Sequence, residues 1–477
     1  MKIFQKILLL LLYVSLVYSQ NLNYDRLTKK SDLKYYHMPI GLCEDYPEET
    51  TTRDIYIKDF ELLKRAGIDL LRISFGWDAI EFQKDKYDWL FWDDFIKTGV
   101  EEYGITFIPY ICYTPRWLAP DPSDSLFFWN KPPTDFEEFG QFMFDLVSRY
   151  KSWIKTWELW NEPDIPIYWS TQDAKEFARF IKVGAEAVKK ADPQAKVVLG
   201  GIAYRPEWIK TLFKDYGLSP YVDIVNIHNY YETWHHNPVE SIVDYIGSVS
   251  DIIKQYGNGQ SIWMAEVGYS TFRQGSFVSD SYSCNYNYEH TPEYQAVDLI
   301  KRISLVRSTE KIAALAWYEV KDLPPSDEVI GDVYNNKHLG VAWADHNPKP
   351  AYYAISFINK LFSKPMRSID NEVLVKKSVS SDARINSFER ENGDVIIVAW
   401  LQTHIPGRRI NFKGDEVDKR IEKIDIEIPY KLTGKAKIYN ELGESKNFTT
   451  IKIKKNFTVI NKLKLTGGSI IILEIKK

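Results

Sequence analysis

The sequence predicts an α/β protein: a (β/α)8 TIM barrel with an appended C-terminal β-sandwich domain. Eight short apolar runs alternate with amphipathic helical segments between residues 38 and 360, a pattern typical of parallel strands covered by helices on both faces. From about Ser368 the pattern changes to short alternating strands with turn signals, which indicates a β-sandwich. An open doubly wound sheet is the alternative, but no glycine-rich nucleotide-binding loop follows any early strand.

The eight apolar runs are the predicted barrel strands. Each is six to eight residues long and is followed by a polar or turn-forming segment. They lie at residues 38–43, 68–74, 105–111, 156–161, 196–201, 223–230, 261–268 and 312–319.

Helices are predicted between these strands. Apolar residues recur at helical spacing between residues 54 and 66, and Gly67 supplies the C-terminal stop. The segment 177–193 carries one apolar stripe and ends before a proline. Another helix opens with Thr291 as its cap and Pro292 at its first position, where proline is favoured.

The chain is divided here into four parts. Residues 1–19 carry two lysines and then a short apolar run, the pattern of a secretory signal peptide, so a secreted or periplasmic location is expected. Residues 20–37 form an N-terminal segment that packs on, or adds a strand to, the β-domain. Residues 38–367 form the barrel, and residues 368–477 form the β-sandwich, in which Asn392-Gly393 marks a hairpin.

Composition excludes several classes of partner. The formal net charge is -4 and the pI about 6.1, so no basic field exists to hold nucleic acid or an anionic membrane. No later segment is long and apolar enough to cross a bilayer, so no membrane insertion is expected. The three cysteines form no disulfide framework, and the pair His235-His236 lacks partners at metal-ligand spacing. No cofactor or metal is predicted.

The chemistry is expected at the C-terminal ends of the strands, where the active residues of such barrels stand. Two carboxylates, Glu162 and Glu266, end the fourth and seventh predicted strands, 104 residues apart in the chain. Nearly opposite strands point such groups at each other across the barrel mouth. Cleavage of a glycosidic bond requires two opposed carboxylates, one to protonate the leaving oxygen and one to attack or to activate water.

Other polar and aromatic groups share these strand ends. Arg72 and Tyr230 are expected to donate hydrogen bonds that keep Glu266 ionised, while a partly apolar pocket and the charge of Glu266 raise the pKa of Glu162. Arg72, His228 and Tyr230 are also expected to contact the substrate. The alternatives are that Arg72 is a charge of the barrel core and that His228 only forms hydrogen bonds inside the barrel. Glu158 is expected to be a buried ion-pair partner of a basic residue.

The motifs around these carboxylates resemble a known family. WNEP at residues 160–163 and WMAEVG at residues 263–268 look like the acid/base and nucleophile motifs of retaining clan A glycoside hydrolases. WELWNEPD, HNY at residues 228–230, AWY at residues 316–318 and the trailing β-domain are most similar to glycoside hydrolase family 39. That family includes β-xylosidases, iduronidases and some endoglycosidases.

The resemblance implies roles for individual residues. Glu162 matches the general acid/base and Glu266 the nucleophile, while Asn161 matches the residue that hydrogen-bonds the sugar 2-hydroxyl. Trp317 matches the platform under the sugar being cleaved. Retention implies carboxyl groups about 5–5.5 Å apart. The loop tryptophans 117, 169 and 234 either stack on further sugar units or pack under the loops.

The expected function is therefore an exported retaining glycoside hydrolase acting on β-linked sugars of an extracellular polysaccharide or its oligosaccharides. A β-xylosidase-like activity is the first expectation within the resembled family. An endo-acting glycanase, or another clan A activity such as a β-glucanase or β-galactosidase, is the enzymatic alternative. A barrel that binds carbohydrate without catalysis is the remaining one.

Overall fold

The computed structural model describes residues 24–28 and 33–477, apart from residues 125, 231–236, 280–281, 283, 328, 330, 405–413, 434, 449–450 and 455. The predicted signal peptide at residues 1–19 lies outside this part of the chain. The same holds for Trp234 and for the pair His235-His236.

Eight parallel strands close into a barrel, which confirms the predicted fold class. Each strand pairs with its neighbours in sequence, and the first pairs with the eighth to complete the closure. The strands are β1 (Ile40–Glu44), β2 (Leu70–Gly76), β3 (Thr106–Cys112), β4 (Thr156–Asn161), β5 (Lys196–Ile202), β6 (Ile224–Asn229), β7 (Ser261–Val267) and β8 (Ile312–Tyr318).

Helices on the outside of the barrel cover these strands. Gly67 ends the first with a left-handed φ of 71°, and the Thr291 side chain caps the seventh by accepting from the Tyr294 N–H, so both predicted signals are confirmed. The principal helices are α1 (Arg53–Ala66), α2 (Leu90–Glu101), α3 (Phe136–Tyr150), α4 (Ala174–Ala191), α5 (Pro206–Lys214), α6 (Ile242–Tyr256), α7 (Pro292–Ser308) and α8 (Pro350–Leu361).

An apolar cluster that ranges from alanines to Trp263 fills the lower part of the barrel interior, and the N-terminal segment covers its bottom. Tyr24 and Leu27 belong to the same buried apolar cluster as the inward residues of the strands. The Tyr24 hydroxyl donates to the Phe107 carbonyl at 2.6 Å, and Trp263 Nε1 donates to the Leu27 carbonyl at 2.7 Å. Tyr36, further along the segment, bridges to the β-domain strand that begins at Met366. Chemistry is therefore confined to the opposite, C-terminal end of the barrel.

The C-terminal strands form two antiparallel sheets. The strands are β9 (Met366–Ser368), β10 (Leu374–Lys376), β11 (Ala383–Arg390), β12 (Val395–Leu401), β13 (Ile421–Ile428), β14 (Ala436–Tyr439), β15 (Ser445–Phe448), β16 (Ile451–Lys454), β17 (Phe457–Thr466) and β18 (Ile470–Ile475). The six-stranded sheet has the order β9-β11-β12-β18-β14-β15, and the four-stranded sheet has the order β10-β13-β17-β16.

Strand β12 joins the sandwich to the barrel because it is buried on both faces. Ile397 and Ala399 face the core of the sandwich, whereas Ile396, Val398 and Trp400 belong to the apolar core of the barrel and its helices. The three cysteines are buried and form no disulfide with one another. Within the described residues, no helix has both the length and the apolar character that a bilayer-spanning segment needs.

Candidate active site

Glu162 stands on a strained turn at the C-terminal end of β4. Trp160 and Glu162 have left-handed φ values of 78° and 43°, which are uncommon for residues other than glycine and cluster at functional sites. The Glu162 N–H donates to the Gly201 carbonyl at 2.9 Å. A residue before proline usually prefers extended backbone, but at Glu162 this turn and its hydrogen bond to β5 override that preference.

Glu162 and Glu266 converge at one site. His228 Nδ1 lies 2.8 Å from Glu162 Oε1 and 3.4 Å from Glu266 Oε2. One oxygen of each carboxylate and one nitrogen of His228 lie within 4.8 Å of one another. Oxygens this close are compatible with the 5–5.5 Å between the carboxyl groups of retaining glycosidases.

Arg72 organises the polar groups beneath the two carboxylates. Its Nε and Nη2 donate to Glu158 at 3.0 and 2.9 Å, and its Nη1 donates to Glu266 Oε2 at 2.9 Å. The remaining N–H groups face Asn161 Oδ1 and the Cys43 thiol. The ion-pair role expected of Glu158 is thus confirmed. Arg72 itself is 0% exposed, so the predicted direct contact with substrate is wrong; it orients Glu266 and Asn161 instead.

His228 presents a proton to Glu162. Asn226 is fixed by the Ala265 N–H, which donates to its Oδ1, and by Glu158, which accepts from its Nδ2. The same Nδ2 lies 3.4 Å from His228 Nε2, so that nitrogen is the acceptor and Nδ1 carries the hydrogen. Burial, and next to it the charge of Arg72, hold the pKa of His228 well below its usual range. His228 is a buried, neutral donor to Glu162, placed beneath the cavity.

Burial is the largest influence on the pKa of both carboxylates. It raises the pKa of Glu162 well above its ordinary value, and the charge of Glu266 adds to this. Burial also raises the pKa of Glu266 to about 7, against the opposing effects of Arg72 and of the Tyr230 hydroxyl, which donates at 3.1 Å. Both expected donors reach Glu266, and they make it the more acidic member of the pair. Glu162 therefore holds a proton at a pH where Glu266 has lost its own.

Asn161 and Tyr230 are held beside the carboxylates. Asn161 is nearly buried, and its Oδ1 is occupied by Arg72, so its amide nitrogen is the end left for a substrate hydroxyl. Tyr230 is also nearly buried and contacts Glu266 through its hydroxyl.

Trp317 does not reach the mouth of the barrel, and its predicted role as the sugar platform is wrong. Its side chain is 0% exposed and belongs to the apolar cluster between strands and helices, together with Leu315. The alternate residues Ala314 and Ala316 face the barrel interior, with Tyr318 packed against them. Tyr318 is half-buried and replaces Trp317 at the mouth, because neighbouring residues of a strand point to opposite faces.

Tyr113, Trp129 and Tyr168 form an aromatic cluster on the Glu162 side of the mouth. Tyr113 stacks on Tyr168 with 6.1 Å between ring centroids and contacts Trp129 at 4.6 Å. Burial, and after it the charge of Glu162, raise the pKa of the Tyr168 hydroxyl. Trp169, a predicted stacking residue, is fully buried, and Trp117 packs against the core and donates to the Glu81 carbonyl.

The sequence analysis did not predict that Asn226, Tyr318 and this aromatic cluster belong to the site. Asn226 precedes His228 by two positions, so the two-residue period of a strand was a signal that they share a face. The cluster carried no such signal, because Tyr113 and Trp129 are far apart in the loop between β3 and α3, and Tyr168 comes from the loop between β4 and α4.

The spacing of Glu162, His228 and Glu266 also suits a divalent metal ion, but the donors themselves do not. His228 Nδ1 carries a hydrogen, and Nε2 accepts from Asn226, so neither nitrogen offers a free lone pair. The Arg72 guanidinium already neutralises Glu266 and would repel a second cation. The arrangement is better suited to transferring protons than to coordinating a metal.

Solved structures share this fold over most of the chain. A family 39 glycoside hydrolase from Bacteroides cellulosilyticus WH2 superimposes with a TM-score of 0.64 at 17% identity, covering 92% of this chain and 81% of that one. A monomeric β-xylosidase from Caulobacter crescentus CB15 gives a TM-score of 0.61 at 16% identity, covering 92% and 96%.

Two curated relatives are similar in sequence. A β-xylosidase from Geobacillus stearothermophilus is 22% identical over 320 residues, which cover 60% of this chain and 56% of that enzyme. A β-xylosidase from Caldicellulosiruptor saccharolyticus is 34% identical over 109 residues, 21% of this chain and 22% of that enzyme. The chain thus spans little more than half of the first relative and less than a quarter of the second.

The match to a family model is far more extensive. The model of glycosyl hydrolases family 39 matches residues 23–441, which include the whole barrel and most of the β-domain. The matched range also contains Glu162 and Glu266 with the contacts described above. The chain therefore belongs to glycosyl hydrolases family 39.

Proposed function

We propose that this protein is a retaining glycoside hydrolase that cleaves β-linked sugars, with β-xylosides as its first substrates. The observation that carries the proposal is the close pair Glu162 and Glu266, whose oxygens lie within 4.8 Å in unlike surroundings. The β-xylosidase relatives from Geobacillus and Caldicellulosiruptor support the choice of sugar.

The proposed first step forms a glycosyl-enzyme ester. The carboxylate of Glu266 attacks the anomeric carbon while protonated Glu162 gives its hydrogen to the glycosidic oxygen, so the leaving alcohol departs neutral. His228 donates to one oxygen of Glu162, which leaves the other oxygen to carry the transferable proton. Arg72 and Tyr230 hold Glu266 in position for the attack.

The second step reverses these roles. Glu162, now a carboxylate, takes a proton from water, and the water oxygen attacks the anomeric carbon and displaces Glu266. Two inversions give net retention of configuration. The aromatic cluster beside Glu162 supplies a flat apolar surface for the leaving group, which favours an oligosaccharide over a simple alcohol as the group released.

The test begins with aryl β-xyloside in a panel of aryl glycosides, followed by NMR of the first product formed. We expect turnover of the xyloside with a β-anomer appearing first. Glu162→Gln should lower kcat/KM by roughly 10²- to 10⁴-fold, and Glu266→Gln by more than about 10⁴-fold. The exposed Glu137 provides the matched control, Glu137→Gln, which should retain full activity.

Other outcomes would contradict parts of the proposal. A first product of inverted configuration would exclude the double displacement. Absence of turnover for every glycoside, with sugar binding unaffected by both variants, would identify a carbohydrate-binding barrel instead. Release of long oligosaccharides from polymer, with no action on aryl xyloside, would favour the endo-acting alternative.

Export of the protein and an extracellular polysaccharide substrate are part of the same proposal. They rest on the lysines at positions 2 and 6 and on the apolar run that follows them. Determining the N-terminal residue of the secreted protein tests export, with cleavage before Gln20 as the expected result.

A further inference from the structure

Asp45 is a third acidic side chain at the mouth of the barrel. It follows the C-terminal end of β1 and is half-buried, whereas the preceding Glu44 is buried. The Tyr110 hydroxyl donates to Asp45 Oδ1, and the Tyr318 hydroxyl lies 3.4 Å from Asp45 Oδ2. Both tyrosines come from barrel strands, so the carboxylate is held on rigid elements.

Asp45 lies on the side of the mouth where Glu266 stands. The Tyr110 ring that binds it also packs against the Arg72 guanidinium, 4.1 Å from ring centroid to Cζ, and Arg72 binds Glu266. The charge of Asp45 also raises the pKa of Glu266, although burial raises it more. The aromatic cluster packs on Trp160, two residues before Glu162. Asp45 therefore faces the glycone, the sugar that Glu266 attacks.

The carboxylate of Asp45 retains capacity to accept further hydrogen bonds. An ionised carboxylate has about four acceptor positions, and two tyrosine hydroxyls use only some of them. A half-buried carboxylate of this kind can accept from neighbouring hydroxyls on a sugar ring. These are strong bonds, because hydrogen bonds to a charged acceptor are worth about twice those between neutral groups.

The same surroundings are unfavourable for an acidic sugar. Arg72 is the cation that binds Glu266 and Glu158, and its five N–H groups are all engaged, by these two residues, Asn161 and Cys43. It therefore offers no donor to a substrate carboxylate. A uronic acid would instead meet the negative charges of Asp45 and Glu266, in a site where burial strengthens their repulsion.

We propose that Asp45 binds ring hydroxyls of the glycone and selects neutral sugars against uronic acids. This inference rests on the proposed glycosidase function and narrows its substrate class. With Asn161 assigned to the 2-hydroxyl, Asp45 takes the 3- or 4-hydroxyl of a xylopyranoside. The opposing interpretation is that Asp45 only holds the two tyrosines in place.

The experiment compares wild type with Asp45→Asn and Asp45→Ala on aryl β-xyloside and on its 3-deoxy and 4-deoxy analogues. We expect each variant to lower kcat/KM on the parent xyloside by about 10- to 100-fold, since removing one partner leaves a desolvated group unpaired. On the deoxy analogue that lacks the contacted hydroxyl, the same variants should lose less than about threefold. A loss of equal size on all three substrates would overturn the proposal in favour of a positioning role.

Charge selection is measured separately with aryl β-glucoside and aryl β-glucuronide, which differ at C6 alone. Wild type should prefer the glucoside by at least about 100-fold in kcat/KM, and Asp45→Asn should reduce this preference at least about fivefold. Comparable rates on both sugars in wild type, or an unchanged preference in the variant, would overturn the proposal. If wild type hydrolyses no glycoside at all, the glycosidase function itself is refuted, a result distinct from either of these.

Discussion

Arg72 holds several side chains of the site in position and lowers the pKa of Glu266. Its guanidinium is fully desolvated and is balanced by Glu158 and Glu266, since a buried charge without a partner costs several kcal/mol. A further hydrogen bond from Arg72 orients the Asn161 amide. Arg72 thus acts on the reaction through Glu266 and Asn161 and has no need to touch substrate.

The protonation order of the two carboxylates can be tested through Tyr230. Activity requires ionised Glu266, so kcat/KM is lost as the pH falls through the pKa of Glu266, which lies at about 7. Tyr230→Phe removes a donor to the ionised form and raises that pKa. The acid limb of the pH profile should therefore move to higher pH by about one unit, since a hydrogen bond to a charged group is worth roughly 1.5 kcal/mol.

The control for this prediction is Tyr35→Phe, which removes a hydroxyl that donates to Glu389 in the β-domain. Its acid limb should stay where it is in wild type. An acid limb that is unchanged in Tyr230→Phe, or one that moves to lower pH, would show that Tyr230 does not stabilise the ionised nucleophile.

At the scale of single elements, the two-residue period of the strands decides which side chains reach the site. On β6, Asn226 and His228 face inward together and form a hydrogen-bonded pair. On β8, the same rule sends Trp317 to the helices and Tyr318 to the mouth. A shift of one residue in either strand would exchange these sets and remove the site.

Strand β5 contributes a glycine, Gly201, whose lack of a side chain leaves room for the His228 ring. A Cβ at Gly201 would lie 1.9 Å from His228 Nε2, far inside contact distance. Gly201→Ala should therefore displace the imidazole from Asn226 and Glu162 and lower kcat/KM by about 100-fold, as expected for a misplaced acid/base group. Steady-state kinetics on the folded protein measures this loss.

Gly247→Ala in α6 is the matched control, because its nearest neighbour is the flexible end of Lys311 at 3.9 Å. This variant should keep kcat/KM within about twofold of wild type. Full activity in Gly201→Ala would show that the position of His228 is not critical for the reaction.

At the scale of the whole molecule, the β-sandwich and the barrel share an apolar core. Phe388, Ile396 and Trp400 of the six-stranded sheet belong to the same buried cluster as the helices of the barrel. Trp400 Nε1 also donates to Glu240, which precedes α6, at 2.6 Å. A sheet with both faces buried cannot separate from the barrel without exposing apolar surface to water.

Trp400→Ala should accordingly destabilise the whole protein by about 3–5 kcal/mol, the usual cost of removing a buried tryptophan side chain. Urea denaturation followed by circular dichroism should show one transition, shifted to lower urea. Val379→Ala, at a fully exposed valine, should change the free energy of unfolding by less than about 0.5 kcal/mol. Two separate transitions, of which the substitution moves only one, would show that the units unfold independently.

The local pattern of apolar and polar residues was sufficient to predict the architecture. Eight apolar runs predicted eight strands because a parallel strand covered on both faces must be apolar along its length, and the closed barrel confirms them. The change of sequence pattern near Ser368 likewise predicted the β-sandwich. The proposed domain limits, residues 38–367 and 368–477, stay predictions.

The chemistry of the site depended on contacts that no local pattern encodes. A continuous apolar run such as β8 shows no alternation, so nothing in its local pattern indicates that Trp317 points outward and Tyr318 points inward. The partners of Arg72 come from β1, β4 and β7, and Asp45 meets tyrosines of β3 and β8. The periodicity of a segment indicates which of its faces is buried, whereas barrel closure and strand register determine which distant side chains lie together at the site.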